Sequence, residues 1–295
     1  MPAWELVRQT GYDLSYHAAV NYDNQAFSIG GRSGGSQVPW VIKSHDGRYG
    51  DAIIHAPANL SARDRLAACV YDERIWVSGG YNGATGIDRV SFSRDGKEWT
   101  DACLIPLHIY NHRMVAFGEP RQRLVILGGY DGTTFYNNIY RSNGDAKLEQ
   151  VSVQGSQWSA RSGFGCLVYK NKLWVFGGIN STDGTLDDIW YTDDLVHWHQ
   201  AEDHAPWGRI CDFGYCEWDE RMWIIGGYES TYIRGQWVNS YKNAVWFSRD
   251  GVNWEQTFDF PETTVYHTAA LPLDNRLHVF GGVGNATNVY RLILG

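Results

Sequence analysis

A recurring pair of glycines constrains this sequence more than any other feature. Six short hydrophobic runs each end in Gly-Gly, as in residues 174–178, which read WVFGG. The first glycines of the pairs are residues 30, 79, 128, 177, 226 and 281, so the chain repeats every 49 residues for four steps and then once after 55. Fixed periods of this length are typical of repeat architectures, in which each unit packs against its neighbours. We therefore expect six equivalent units.

Each period contains four short stretches with strand character. In the fourth unit these stretches are residues 164–169, 173–176, 188–191 and 197–199. Asp-Gly recurs between the third and fourth stretches, at residues 46–47, 95–96 and 250–251. It predicts a two-residue hairpin turn there, because Gly adopts positive φ freely and Asp tolerates it. The chain is rich in strand and turn residues (14 Trp, 18 Tyr and 33 Gly) and has no long run at helical spacing, so the expected fold class is all-β.

These features resemble the kelch family. Its marks are a double glycine after the second strand, a period near 50 residues and a Trp in the fourth strand. Residues 93–99 and 248–254 read Ser-x-Asp-Gly-x-x-Trp, which is similar to kelch proteins of bacteria and phages that are called galactose-oxidase-like. Tyr49 and Leu148 depart from the pattern, since they stand where the Trp is expected. The resemblance covers the whole chain and implies a six-bladed kelch-type β-propeller with four antiparallel strands per blade.

The two ends of the chain complement each other. After the sixth glycine pair only a third strand follows, at residues 288–292, while Trp4-Glu5 repeats the Trp254-Glu255 of a fourth strand. We expect the N-terminal strand to complete the last blade, because this pairing covers an otherwise open edge. Residues 1–295 then form a single domain.

Charge and composition exclude several function classes. The formal net charge is −8 without any Lys/Arg run, so the chain is a poor match for a nucleic-acid backbone. No apolar stretch of about 20 residues predicts a membrane span, and no signal peptide is recognisable at the N-terminus. We expect a cytoplasmic protein, or a virion component if the source is viral. None of the five cysteines forms a C-x-x-C, and no cofactor or metal is expected.

Cationic residues recur at the start of the innermost strands. The loops between strands two and three, and between strand four and the next blade, share one face and converge on the axial channel. Counting back 16 residues from a first glycine, or 17 in one blade, gives four cations that we expect around the channel mouth: Arg63, His112, Arg161 and Arg209. Three further residues are expected nearby: Arg113, His17 and His267. An arginine fork matches a carboxylate bidentately, which predicts an anionic sugar or an acidic peptide as ligand. The alternative is that these arginines tie loop carbonyls between blades.

Aromatic residues accompany these cations. Trp158 and Trp207 precede Arg161 and Arg209, and Tyr110 precedes His112. Aromatic rings beside hydrogen-bonding groups suit sugars, whose C–H faces stack while their hydroxyls bond. Packing between blades is the alternative use of such rings.

The fifth unit holds the one break in the period. Its extra residues lengthen the loop between strands two and three, residues 228–241, which carries Tyr232, Arg234 and Trp237. A repeat protein that lengthens one loop commonly does so at its binding surface, and these residue types dominate interface energetics. A neutral insertion is the alternative.

No phosphate-binding loop, zinc-protease motif or nucleophile elbow is present, and no catalytic residue is assigned. The features favour a recognition module that uses the loop face to bind a ligand. The ligand would be a glycan, which could carry negative charge, or a protein partner. A phage component that recognises a host is one form of such a module. A sugar isomerase of the sialic acid mutarotase type is one alternative, on fold analogy alone. A structural or assembly role is the other.

Overall fold

The computed structural model describes residues 3–9, 13–47, 52–54, 57, 59–143, 147–284 and 287–293. In these residues every regular element is a β-strand, and no helix is long and apolar enough to span a membrane. Six four-stranded antiparallel sheets form the blades of a propeller, which confirms the all-β prediction and the blade count. Tyr49, one of the departures from the kelch pattern, lies outside the described residues.

The six blades follow one another along the chain, and each runs from an innermost to an outermost strand. In blade order, the first, innermost strands are Ala18–Tyr22, Ala67–Tyr71, Arg113–Phe117, Gly165–Tyr169, Gly214–Trp218 and Ala269–Leu273. The second strands are Gln25–Ile29, Arg74–Ser78, Arg123–Tyr130, Lys172–Phe176, Arg221–Ile225 and Arg276–Phe280. The third strands are Val41–Ser44, Ile87–Ser93, Phe135–Ser142, Ile189–Thr192, Val245–Ser248 and Asn288–Ile293. The fourth strands are Ala52–Ile54, Thr100–Ile109, Leu148–Gln150, His199–Glu202, Trp254–Gln256 and, for blade six, Ala3–Gln9.

Three of the loops between strands two and three form small ribbons of their own. They are Arg32–Ser33 with Ser36–Gln37 in blade one, Ile179–Asn180 with Gly184–Thr185 in blade four, and Tyr228–Ile233 with Gln236–Tyr241 in blade five.

Blade six is closed by the N-terminal strand. Ala3–Gln9 pairs antiparallel with Asn288–Ile293, and Trp4 lies opposite Leu292. The Trp4 ring packs edge-on against Phe260 at 4.9 Å between ring centroids. The predicted closure is therefore confirmed.

The hydrophobic core is divided among the interfaces between blades. Each of the six buried clusters combines strands of two neighbouring blades. The Trp of the fourth-strand motif packs towards the preceding blade, as Trp99, Trp198 and Trp254 do. Because burial of large apolar side chains is the main stabilising term, these interfaces hold the blades round the axis.

The turn between the third and fourth strands is longer than the predicted two-residue hairpin. In blade two it spans the six residues between Ser93 and Thr100. Ser93 Oγ accepts the N–H of Gly96 at 2.8 Å, Asp95 Oδ1 accepts the N–H of Lys97 at 2.8 Å, and the Trp99 indole N–H donates to the Gly96 carbonyl at 3.1 Å. The Ser-x-Asp-Gly-x-x-Trp motif thus supplies the turn's own hydrogen-bond acceptors and its anchor in the core.

The glycine pairs are the points where adjacent blades join. In blade four, the Gly178 N–H donates to the carbonyl of Ile210, at the start of blade five, at 2.8 Å. Gly177 has φ +61°, and a Cβ there would lie 2.7 Å from the same carbonyl oxygen. Positive φ and close backbone approach both require glycine, so the repeat marks the hydrogen bonds between blades.

Candidate functional site

A closed ring of backbone hydrogen bonds surrounds the propeller axis at the start of the innermost strands. One residue of each blade donates its N–H to the carbonyl of the equivalent residue in the preceding blade, at 2.7 to 3.3 Å. We call these six residues the axial ring: Tyr16, Arg65, Asn111, Gly163, Asp212 and His267. Tyr16 donates to His267, so the ring closes on itself.

The axial ring holds its residues in an uncommon backbone conformation. All six have φ between +51° and +61°, the left-handed region that costs a residue with a side chain roughly 1–2 kcal/mol. Five of the six nevertheless carry a side chain. Residues that their surroundings hold in this region cluster at functional sites. The side chains of the ring are therefore candidates for ligand contacts.

The ring side chains line the opening of an axial cavity. The cavity has a volume of about 610 Å³, and its walls come from the innermost strands, with small apolar residues such as Ala19, Ala68 and Ala270. Tyr16, Arg65, Asn111, Asp212 and His267 all line it. A concave cavity on which a few polar groups converge is the usual form of a small-molecule site.

An acid cluster occupies one side of this opening. The Asp212 carboxylate accepts a hydrogen bond from the Tyr228 hydroxyl at 3.2 Å, and its Oδ1 lies 3.5 Å from Nδ1 of His267. Burial raises the pKa of Asp212 to about 6, although Arg113, Arg65 and the Tyr228 hydrogen bond oppose the shift. Burial, helped by the nearby arginines, holds the pKa of His267 well below its usual value. Near neutral pH this cluster therefore combines a neutral imidazole with a carboxyl group that can change its protonation state.

A cationic, aromatic cluster occupies the other side. The guanidinium groups of Arg65 and Arg32 both pair with the carboxylate of Asp64, which is fully buried, while the arginine side chains are 21% and 29% exposed. Arg65 also lies over the rings of Tyr16 and Tyr110, at 4.7 and 5.7 Å from their centroids. Among the described residues of this cluster, two partly exposed cations share one buried anion, which leaves a positive charge at the mouth.

Arg63 and Arg161 occupy equivalent positions below this mouth. Both are buried, and each donates to the carbonyl of its own blade's first glycine, Gly79 or Gly177, at 3.1 and 2.9 Å. Arg161 also forms a bidentate ion pair with Asp188, at 2.6 and 2.8 Å. The structure thus gives these two arginines partners in their own blade and in the loop that leads into it.

His112 and His17 form a second equivalent pair, directly after axial-ring residues. Both are buried. His112 Nε2 bonds to Ser78 Oγ at 2.8 Å, and burial lowers the pKa of His112 to about 3 and that of His17 to about 4. His17 lines the axial cavity, and neither of its ring nitrogens has a hydrogen-bond partner among the described residues.

The expected set of four cations is not a set of equivalent positions. Five blades join their first two strands by two residues, but blade three uses five, residues 118–122. The three additional residues displace the start of blade three relative to its glycine pair, so that Ile109 rather than His112 is the counterpart of Arg63. The constant 49-residue period conceals this shift.

The remaining two predicted cations have separate positions. Arg209 donates to the carbonyls of Asp183 and Thr185, at 2.7 and 2.8 Å, and so fastens the blade-four ribbon. Arg113 lines the axial cavity, where its guanidinium lies 5.4 Å from the centroid of the Phe164 ring.

The predicted aromatic residues divide between core and mouth. Trp158 and Trp207 are buried in the clusters between blades three and four and between blades four and five. Tyr110 is half-buried at the mouth, with its ring 5.2 Å from that of Tyr81. In the blade-five ribbon, Arg234 lies at the exposed tip, and Tyr232 and Trp237 are 61% and 50% exposed with rings 5.2 Å apart.

Sequence analysis included His267 in its expected site but missed three axial-ring side chains: Arg65, Asn111 and Asp212. A signal for them exists. In five blades the ring residue lies 14 residues before the first glycine, as 79 minus 65 and 226 minus 212 show, and in blade three it lies 17 before, 128 minus 111. Because their residue types differ in every blade, no shared chemistry marks these positions.

No group of three or more His, Cys, Asp or Glu side chains suited to holding a metal ion occurs in the part of the chain that the structure describes.

The fold and the glycine-pair joints define a kelch-type β-propeller, and comparison with known proteins agrees. The family model described as the KLHDC2/KLHL20/DRC7 Kelch-repeats domain matches residues 102–282. The chain therefore belongs to the kelch-repeat family, whose propellers generally serve as modules that bind protein partners or other ligands.

Individual relatives and solved structures share only low sequence identity with this chain. Leucine-zipper-like transcriptional regulator 1 of mouse and of human is 25% identical over 167 residues, 51% of this chain. The chain spans only about a fifth of these relatives, 20% and 19% of their lengths. Among solved structures, that titled "Structure of YjhT" aligns with a TM-score of 0.75 and 12% identity over 97% of this chain and 96% of that one. This last likeness concerns the fold alone.

Proposed function

We propose that this propeller is a binding module whose axial mouth holds a carboxylate-bearing ligand, with an anionic sugar as the favoured class. The observation that carries the proposal is the shared pairing of Arg65 and Arg32 with Asp64. A ligand carboxylate can approach the exposed part of either guanidinium without displacing that buried partner. Charge-assisted bonds of this kind are among the stronger polar contacts in proteins.

The surroundings of Arg65 favour a sugar over a simple anion. Tyr16 and Tyr110 border the guanidinium with half-buried rings, and the Asn111 side chain lines the same opening. A pyranose offers C–H faces to such rings and hydroxyls to an amide. The cavity below, at about 610 Å³, is large enough for a ligand of this size.

Binding can be tested by calorimetric titration with N-acetylneuraminic acid and galacturonic acid, and with galactose as the neutral comparison. We expect the acids to bind more tightly than galactose, and Arg65→Ala to weaken their binding at least about tenfold, the loss of one charge-assisted contact. Arg65→Lys keeps the charge without the fork and should have an intermediate effect. Arg249→Ala, which removes an exposed arginine of an outer turn, is the matched control. Equal affinity of wild type and Arg65→Ala for every acid would refute the proposal.

A second candidate function is exchange between the anomers of a reducing sugar. The observation that favours it is the acid cluster, in which Asp212 bonds to Tyr228 and faces His267. In such a reaction a carboxylate takes the proton of the anomeric hydroxyl while an acid protonates the ring oxygen. The ring C–O bond breaks to give the open-chain carbonyl, and reclosure on the other face reverses both transfers. A carboxyl group with a pKa of about 6 can serve in either direction near neutral pH.

Proton NMR of freshly dissolved N-acetylneuraminic acid, with and without the protein, tests this second function. We expect faster approach to anomeric equilibrium with wild type and loss of the acceleration in Asp212→Asn. If the rate is the same with and without protein, this second function is refuted.

A further inference from the structure

The blade-five ribbon carries its aromatic residues on one face. Tyr232 lies opposite Trp237 and Tyr228 opposite Tyr241 in the antiparallel pairing. Cross-strand partners point to the same side of a ribbon, as do residues two apart. These four rings therefore line one face of the ribbon, and Tyr241 is 44% exposed in addition to the exposed pair at the tip.

This ribbon is held in position by blade four. The Thr185 hydroxyl donates to the Ser230 carbonyl and accepts from the Ser230 N–H, both at 3.2 Å. A Cβ on Gly184 would lie 3.2 Å from the Trp237 ring, so the absence of a side chain lets the indole lie against the blade-four ribbon. The exposed rings are thus supported from below, which lowers the entropic cost of using them in binding.

From Tyr241, at the base of the ribbon, ring contacts continue to the mouth. The Tyr241 ring stacks on Tyr266 at 5.1 Å, Tyr266 lies 5.1 Å from His267, and His267 stacks on Tyr16 at 3.8 Å. Tyr16 in turn lies beneath the Arg65 guanidinium at 4.7 Å.

On the far side of Arg65 the rings continue again. Tyr110 lies 5.5 Å from Tyr130, whose ring stacks on Phe135 at 4.4 Å. Phe135 borders a cleft of about 380 Å³ between blades three and four. The other lining residues of this cleft are chiefly hydroxyl and amide side chains, among them Thr133, Ser159 and Asn180, together with the exposed carboxylate of Asp183.

We propose that this aromatic band, from Trp237 through Arg65 to Phe135, binds an anionic oligosaccharide along its length rather than a single sugar at the mouth. The inference deepens the proposed function and depends on it. The tip rings, Tyr232 and Trp237, are exposed, and the rings from Tyr266 to Phe135 are partly buried, so the band offers apolar contacts at intervals. The cleft at its end offers hydrogen-bonding groups, with Phe135 and Ala160 as the apolar residues among its described lining.

Cations that suit a ligand with several carboxylates lie at two points of the band, the ribbon tip and the mouth, whereas the cleft at the far end carries Asp183. Arg234 lies at the ribbon tip, and Arg65 and Arg32 lie at the mouth, with side chains that reach solvent. The carboxylates nearest to them at the mouth, Asp64 and Asp212, are buried. A chain of net charge −8 therefore presents cations on this path.

The test is a calorimetric series of oligogalacturonates and α2,8-linked oligosialic acids, from monomer to hexamer, with oligoglutamate peptides of matched length. We expect affinity for the saccharides to rise at least about tenfold from monomer to hexamer. Trp237→Ala and Phe135→Ala should each lower hexamer affinity about five- to tenfold, as for truncation of an interface anchor, and leave monomer affinity unchanged. Leu104→Ala removes an exposed apolar side chain of an outer strand and is the control. Thermal melting of each variant verifies folding.

The possible outcomes distinguish the extended site from the binding site at the mouth. If monomers bind in an Arg65-dependent manner but affinity is independent of length, or Trp237→Ala binds the hexamer as wild type does, the extended site is refuted and the mouth proposal stands. If no acid sugar of any length binds, the proposed function fails and the inference with it. If only oligoglutamate binds with increasing affinity, the band is a peptide site and the saccharide assignment is overturned.

Discussion

Two layers of polar side chains surround the axis, and neighbouring residues of the chain belong to different layers. Arg65 lies in the mouth layer with its guanidinium partly exposed over tyrosine rings, whereas Arg63, two residues earlier, is buried and bonds to Ser61 and the Gly79 carbonyl. Tyr16 and His17 divide in the same way. In the lower layer Arg63, Arg161 and His112 bond to loops or to a neighbouring blade, and the upper layer is free to contact a ligand.

This difference shows that residue type alone does not identify a site in a propeller. Arg63 and Arg161 have the chemistry of anion binders, but carbonyl and hydroxyl oxygens of the loops occupy their donors, with Asp188 as an additional partner of Arg161. Arg65 has fewer partners among the described residues and reaches the cavity. Accessible donors, rather than positive charge, distinguish the two layers.

Among the tests of this comparison, Arg161→Ala is expected to have the largest effect, which is a loss of stability. The substitution leaves the Asp188 carboxylate without its bidentate partner and removes the donor to the Gly177 carbonyl. Loss of one member of a buried ion pair destabilises by roughly 3–5 kcal/mol. Urea unfolding followed by tryptophan fluorescence should show a free energy of unfolding that is lower by this amount.

Arg65→Ala is the matched control in the mouth layer. Its partner Asp64 keeps Arg32 and also accepts from Gln37 Nε2 at 3.0 Å, so the expected loss is about 1 kcal/mol or less. If Arg65→Ala is the more destabilised of the two variants, the division into joining and ligand-facing layers is incorrect.

The pH dependence of stability provides a second test of the comparison. Burial raises the pKa of Asp212 from 3.8 to about 6 in the folded protein, so the native state gains stability as pH falls through about 6 and loses it as pH rises. Asp212→Asn removes this penalty. The variant should be more stable than wild type at pH 8, and the advantage should shrink by roughly 2–3 kcal/mol by pH 4. Urea titrations at several pH values measure the difference; a constant offset across this range would show that Asp212 is not the group that titrates.

Much of the fold could be predicted because its determinants are local and repeated. A glycine pair is required wherever one blade's backbone approaches the next, and Trp4 carries the same motif as Trp254. The third-to-fourth turn was predicted too short, because the Ser and Asp side chains build a longer turn than Asp-Gly does alone.

The mouth could be predicted less well, because its geometry depends on a register that the period does not reveal. The three additional residues in the first turn of blade three shift Asn111 into the axial ring and His112 below it. Positive φ at Arg65 and Asp212 arises from the ring of hydrogen bonds between blades and not from local propensity. Only the spacing from the glycine pair marks these residues, and blade three departs from it.

The smallest expected effect concerns His17, in the lower layer. Its counterpart in blade two is Leu66, and each follows an axial-ring residue. Burial lowers the pKa of His17 from 6.5 to about 4, so the neutral form is favoured in the fold and stability is lost as pH falls below about 6.5. His17→Leu should therefore match or exceed wild-type stability at pH 7.5 and gain a further advantage of roughly 1 kcal/mol at pH 5.5. His108→Leu, at an exposed histidine of an outer strand, should show no such gain. Equal pH dependence in wild type and His17→Leu would place His17 in contact with solvent, and so in the mouth layer with Tyr16.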